Sequence, residues 1–130
     1  MPEITKFVYM FEEGNQKMVD LLGGKGAGLS EMKNIGLNVP PGFTITTEAC
    51  RQYMSKLTYP DGMMDQVSKA LKKLESLAGR KFGDENDPLL VQVNVILCTI
   101  LVLHSRKLFL EILVRYTQHN GTEHLQESSV

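Results

Sequence analysis

A glycine-rich segment that holds one lysine has the clearest chemical potential in this 130-residue sequence. Residues 23–28 read GGKGAG, and helix-forming residues follow them. Glycine lets the backbone approach a ligand closely, and the unpaired N–H groups and dipole of a helix start attract anions. Gly24, Lys25 and Gly26 therefore form a candidate phosphate-binding turn, in which the ammonium group of Lys25 supplies positive charge.

Two better-known phosphate motifs do not account for this segment. A Walker A loop needs a further glycine, separated by four residues from the Gly-Lys pair, and a serine or threonine directly after the lysine. The dinucleotide-binding fingerprint needs a third small residue where this sequence has Leu29. On residue types alone, a tight connection with one solvated lysine explains the segment more simply than a binding site does.

The elements around the segment predict a mixed fold of the α/β (α+β) class. The clearest helix covers residues 61–77, where apolar residues recur at three- and four-residue steps: Met64, Val67, Leu71, Leu74 and Leu77. Thr46 or Thr47 can cap the helix predicted at residues 48–55. The pattern predicts strands at residues 5–11, 43–46 and 89–91, and further helices at residues 16–22 and 27–33.

Composition and charge narrow the class of protein. The chain is 42% hydrophobic and 22% charged, which is typical of one globular domain. A net charge of −1 argues against nucleic-acid binding, because a polyanionic ligand requires a basic excess. Cys50 and Cys98 give neither a disulfide framework nor zinc-ligand spacing, and we predict no metal site. Residues 1–20 lack the features of a signal or transit peptide, so we expect a cytoplasmic protein.

Four blocks of sequence carry a resemblance to a known family. They are residues 11–15 (FEEGN), 21–32 (LLGGKGAGLSEM), 36–50 (GLNVPPGFTITTEAC) and 82–91 (FGDENDPLLV). In this order and spacing they resemble the opening of the pyruvate phosphate dikinases, and the resemblance extends over residues 6–91. Phosphoenolpyruvate synthases share the Gly-Gly-Lys and Pro-Gly-Phe blocks but usually lack the Glu-Gly-Asn opening and the Thr-Glu-Ala-Cys block.

The resemblance implies that residues 1–91 are an incomplete N-terminal subdomain of an ATP-grasp nucleotide-binding domain. The family converts ATP, pyruvate and phosphate to AMP, phosphoenolpyruvate and diphosphate through a phosphohistidine on a separate domain, with Mg²⁺. Its lysine in the Gly-Gly-Lys block contacts ATP phosphates, and the matching residue here is Lys25, flanked by Gly24 and Gly26. For this chain the resemblance implies weak ATP binding at most and no catalytic residue.

The resemblance stops after Val91. The family continues with Ser-Val-Arg-Ser-Gly, whose arginine grips ATP phosphates, whereas this chain has Asn94 at the arginine's position. An amide cannot replace the charge or the forked donors of arginine. Residues 92–130 form an apolar and then polar tail, which we interpret as the product of a frameshift or a retained intron. The three histidines of the tail lack a family context, so none is a candidate phosphohistidine: His104, His119 and His124.

Several functions stay open at this point. The favoured hypothesis is a truncated dikinase fragment that is inactive alone, and its association with full-length subunits stays open. The alternatives are a non-catalytic nucleotide-binding or regulatory module and a phosphoenolpyruvate synthase-like fragment. Membrane attachment through residues 89–103 is disfavoured, because a stretch of about 15 residues is shorter than the ~20 that a spanning helix needs.

Overall fold

The computed structural model describes residues 4–82, 84–87, 89, 110 and 114. The chain divides into two compact units, residues 1–74 and residues 75–130. Within the described residues, helices and a small antiparallel sheet give an α+β arrangement, as the sequence predicts. The elements are β1 (Val8–Met10), 3₁₀ helices at Phe11–Glu13 and Gln16–Met18, α1 (Val19–Asn34), β2 (Phe43–Ile45), α2 (Thr47–Lys56) and α3 (Met63–Ala78).

The two strands pair antiparallel, although α1 lies between them in the sequence. Two further backbone bonds lengthen the ladder: the N–H of Phe11 donates to the carbonyl of Gly42 at 3.0 Å, and that of Thr46 to Phe7 at 2.9 Å. Both strands are shorter than predicted, because the chain turns into a 3₁₀ helix at Phe11 and caps a helix at Thr46. The register pairs Val8 with Ile45, Tyr9 with Thr44 and Met10 with Phe43.

Helix α1 corrects the expectation of a glycine loop. The sequence predicts a turn at residues 24–26 and a helix that starts at Ala27, but residues 24–28 are helical and only Gly23 within α1 departs from helical geometry (φ 75°, ψ 166°). Glycine adopts this positive φ without steric cost. Glycine disfavours helices, so the helical state of this segment reflects tertiary packing of its buried side, which includes Leu22, Gly26 and Ala27.

Helix α2 begins where predicted, because Thr46 caps it. The hydroxyl of the fully buried Thr46 accepts a hydrogen bond from the N–H of Ala49 at 3.2 Å, which satisfies a donor that the helix start leaves free. The helix ends at Leu57, which has a left-handed conformation (φ 56°) and donates its N–H to the carbonyl of Tyr53. Of the two candidate caps, Thr46 has this role.

Helix α3 buries a face that differs at its ends from the predicted one. Val67, Leu71 and Leu74 are buried as expected. Met63, the first residue of α3, is 1% exposed and occupies the buried position that was predicted for Met64. Successive side chains of a helix point about 100° apart, so Met63 and Met64 face different directions. Leu77, also predicted to be buried, is 56% exposed in the last turn. Gly79 (φ 67°) ends the helix, as its sequence position indicates.

The described part of the second unit contains a polar turn. The carboxylate of Asp84 accepts hydrogen bonds from the N–H groups of Asn86 at 2.8 Å and Asp87 at 3.1 Å. These bonds favour the ionised form and hold the pKa of Asp84 below its usual value. The N–H of Leu89 donates to the carbonyl of Lys81 at 3.0 Å and closes the turn.

Several predictions fall outside the described residues. They concern the strand at 89–91 beyond Leu89, the replacement at Asn94, and the tail 92–130 apart from Leu110 and Val114, which are helical and exposed. The division of the chain after residue 91 therefore stays a prediction. Within the described residues, no helix combines the length and hydropathy of a membrane span.

Candidate phosphate-binding site

Lys25 lies in the first turn of the helical segment that follows Gly23. Its side chain is exposed and, within the described residues, forms neither a hydrogen bond nor an ion pair. The non-helical conformation of Gly23 separates two helical segments, so the N–H groups of the residues that follow lie at the start of the second segment. A free ammonium group beside a helix start is an arrangement suited to an anionic oxygen.

The glycines of the segment have different surroundings. A methyl group added at Gly24 or Gly28 would meet nothing within 4 Å. A methyl group at the buried Gly26 would lie 2.9 Å from Cγ2 and 3.1 Å from Oγ1 of Thr44 on β2. The sequence predicts both Gly24 and Gly26 beside the phosphate. Gly24 is exposed, whereas Gly26 is buried and a side chain at this position would point toward the sheet.

Residues of β2 and α2 hold the chain on both sides of the helix break. Before the break, the hydroxyl of Thr47 donates to the carbonyl of Asp20 at 2.6 Å. After the break, Thr44 contacts Gly26. Neither threonine was predicted from the sequence to belong to the site. The feature that could have indicated them is their position in residues 36–50, because this block carries the family resemblance together with the lysine segment.

The turn at residues 14–15 supports the other side of α1. The side-chain amide of Asn34 donates to the carbonyl of Gly14 at 2.6 Å. A methyl group at Gly14 would lie 2.5 Å from Cδ1 of Leu22 and 2.6 Å from Oγ of Ser30, so this turn packs closely on the helix. The hydroxyl of Ser30 is buried and has no hydrogen-bond partner within the described residues. Lys25 is therefore carried by a helix that is packed on more than one side.

Two other lysines of this unit are already paired. Lys6 forms an ion pair with Glu13 and lies 4.6 Å from the centroid of the Tyr9 ring. Lys73 pairs with Glu12 at 3.3 Å. A ligand phosphate would have to compete with these carboxylates, whereas it meets no such competitor at Lys25.

The described residues provide no ligand set for a metal ion. Among them, no group of three or more His, Cys, Asp or Glu side chains comes together in a way that could hold one.

Comparison with known proteins decides the family. Residues 19–90 match the family described as pyruvate phosphate dikinase, AMP/ATP-binding domain. The match covers more than half of the chain and includes all of residues 23–28. The chain belongs to this family. The resemblance to pyruvate phosphate dikinases that the four blocks indicate is thereby confirmed.

Curated dikinases from distant organisms match the same part of the chain. The pyruvate, phosphate dikinase of Clostridium symbiosum is 52% identical over 91 residues, which are 69% of this chain and 10% of that protein. Pyruvate, phosphate dikinase 2 of Oryza sativa subsp. japonica is 52% identical over 81 residues, 62% of this chain and 9% of the relative. The dikinase of Entamoeba histolytica is 49% identical over 87 residues, 66% of this chain and 10% of the relative. The chain thus spans about a tenth of the length of these relatives.

Proposed function

We propose that this chain is a nucleotide-binding fragment of a pyruvate phosphate dikinase, which binds ATP phosphates at Lys25 and does not catalyse the dikinase reaction alone. The observation that carries the proposal is Lys25 itself, which is exposed, has no partner within the described residues, and lies beside the helix break at Gly23 in the part of the chain that matches an AMP/ATP-binding domain. The ATP-grasp architecture implied by the family is part of the proposal.

The chemistry of the site follows from charge. ATP phosphates carry several negative charges, and the ammonium of Lys25 and the N–H groups at the helix start attract them. Gly24 is exposed and carries no side chain to obstruct an approaching oxygen. In this proposal, Lys25 and these N–H groups neutralise part of the phosphate charge.

The binding is expected to be weak. A site that contacts one side of the nucleotide leaves most of it in water, and few contacts offset the lost freedom of the ligand. Asn94 replaces the arginine that the family uses on ATP phosphates, and an amide supplies no compensating charge. The proposal includes a cytoplasmic location and ATP as the partner, whereas association with intact dikinase subunits stays open.

Titration calorimetry with ATP tests the role of Lys25. We expect Lys25→Ala to weaken ATP binding by about tenfold or more, because it removes a charged partner of the phosphates. The matched control is Lys72→Ala on α3, which removes an exposed lysine that also forms no bond within the described residues. Equal affinities of the wild type and both variants would contradict the proposal.

A further inference from the structure

Gly26 and Thr44 form a very close contact between α1 and β2. A methyl group built on the α-carbon of Gly26 would lie 2.9 Å from Cγ2 of Thr44, 3.1 Å from its Oγ1 and 3.3 Å from Cβ of Leu22. These distances are shorter than ordinary carbon contacts, whose optimum is about 3.5–4.0 Å. Alanine at position 26 would therefore push α1 and β2 apart, and glycine allows them to touch.

Rotation of the Thr44 side chain cannot remove this conflict. Threonine has two γ atoms, which fill two of the three staggered positions around its Cα–Cβ bond. In the observed rotamer, both filled positions face Gly26. Every other staggered rotamer keeps a γ atom in one of these two positions. Relief therefore requires movement of the backbone or removal of the γ atoms.

The backbone of Thr44 is itself held in place. Thr44 pairs with Tyr9 in the sheet, and two residues later Thr46 donates its N–H to Phe7 at 2.9 Å. Moving β2 away from α1 would strain this ladder and the bond from Thr47 to Asp20. The helix start is the part that would move, and Lys25 is directly bonded to Gly26.

We infer that Thr44 is a positioning residue for the phosphate site, acting through Gly26. Its γ atoms set the distance between the helix start and the sheet, and with it the position of Lys25 and of the neighbouring N–H groups. This inference rests on the proposed function. Thr44 is not proposed to contact the nucleotide, and it acts on binding only through Gly26.

A size-exchange experiment tests this role in the full 130-residue chain. The variants are Gly26→Ala, Thr44→Ala and the double variant, with Gly28→Ala as the matched control, since a methyl there meets nothing within 4 Å. ATP affinity is measured by calorimetry at a temperature where thermal unfolding curves show every variant to be folded. Small displacements of binding groups are costly, so we expect each single variant to bind ATP about tenfold more weakly.

The double variant separates positioning from a general loss of stability. The methyl group that Gly26→Ala introduces occupies the space that the γ atoms of Thr44 vacate, so the double variant should bind within about threefold of the wild type. Gly28→Ala should bind like the wild type. If Gly26→Ala does not fold, the recovery of ATP affinity is measured by comparing Thr44→Ala with the double variant.

Two results would overturn the inference. One is a lower unfolding temperature in the single variants with an unchanged Kd, which indicates a structural contact only. The other is a double variant that binds no better than the weaker single variant. Failure of the proposed function looks different: the wild type does not bind ATP, or Lys25→Ala binds as well as the wild type. That result would remove both the proposed function and the positioning role.

Discussion

At the scale of single residues, the candidate site combines the helix break at Gly23 with a lysine that has no partner within the described residues. Lys6 and Lys73 are paired with carboxylates, whereas Lys25 is exposed and unpaired within the described residues. The sequence could single out Lys25 and Gly24 as candidates, because a lysine between glycines before a helical segment is a local pattern. It could not predict the contact of Gly26 with Thr44, because that contact depends on how a later strand packs.

Glu13 gives the fold a pH-dependent contribution. Burial by itself raises the pKa of Glu13, but hydrogen bonds from Lys6 and the N–H of Met10, with the charges of Lys6 and Lys73, hold it below its usual value. The folded state therefore favours the ionised carboxylate more than the unfolded state does. This stabilisation is present above the unfolded pKa of about 4.3 and is lost as the pH falls through the folded pKa.

We predict that Glu13→Gln reduces the acid sensitivity of the fold. Between pH 7 and pH 3 the wild type should lose more free energy of unfolding than the variant, as measured by urea titration. The difference should be below about 1 kcal/mol, because the ion pair is partly exposed and screened by solvent. Glu85→Gln, at an exposed carboxyl with no bond within the described residues, is the control. An identical acid-induced loss in Glu13→Gln and the wild type would contradict the assignment.

At the scale of elements, local signals predicted α2 and α3 better than they predicted α1. The cap at Thr46 and the stop at Gly79 are encoded by residues next to the helix ends. Helix α1 breaks at Gly23 but continues through Gly24, Gly26 and Gly28, whose low helix propensity predicted a turn. Its helical state is explained by the turn at Gly14 and by β2, which pack on it and lie elsewhere in the sequence.

Gln66 joins α3 to the edge of β1. Its side-chain oxygen accepts from the N–H groups of Phe7 at 2.7 Å and Val8 at 3.2 Å, and its amide nitrogen donates to the carbonyl of Thr5 at 2.7 Å. One side chain thus satisfies three backbone groups beside the buried Phe7. The apolar periodicity of α3 gave no sign of this link, because Gln66 does not belong to the apolar stripe.

We predict that Gln66→Ala destabilises the fold by about 1–3 kcal/mol, the usual cost of leaving partly buried backbone groups without partners. Urea unfolding measures the change. Lys72→Ala, an exposed substitution on the same helix, should have little effect. If Gln66→Ala is as stable as Lys72→Ala, the hydrogen bonds of Gln66 do not contribute to stability.

At the scale of the whole molecule, the chain corresponds to about a tenth of a dikinase. The Clostridium symbiosum relative matches it over 91 residues, which are 10% of that protein. Phosphoryl transfer requires donor, acceptor and charge-stabilising groups to be aligned at the same time. Within the described residues, the segment around Lys25 is the candidate group of this kind.

We therefore predict that the purified 130-residue chain does not form phosphoenolpyruvate and AMP from ATP, pyruvate and phosphate. A coupled assay of phosphoenolpyruvate formation measures the activity, and the intact Clostridium symbiosum dikinase is the positive control. Turnover within about tenfold of that control would contradict the account, because such a rate requires most of the catalytic groups to be present.

The most direct test of the central claim is an ATP titration of the ¹⁵N-labelled chain followed by amide NMR. We predict that ATP causes the largest chemical-shift changes at the amides of Gly24, Lys25 and Gly26. Lys25→Ala should strongly reduce these changes, whereas Lys72→Ala should not. Shift changes centred elsewhere, or an unchanged response in Lys25→Ala, would contradict the claim that this helix start binds the phosphates of ATP.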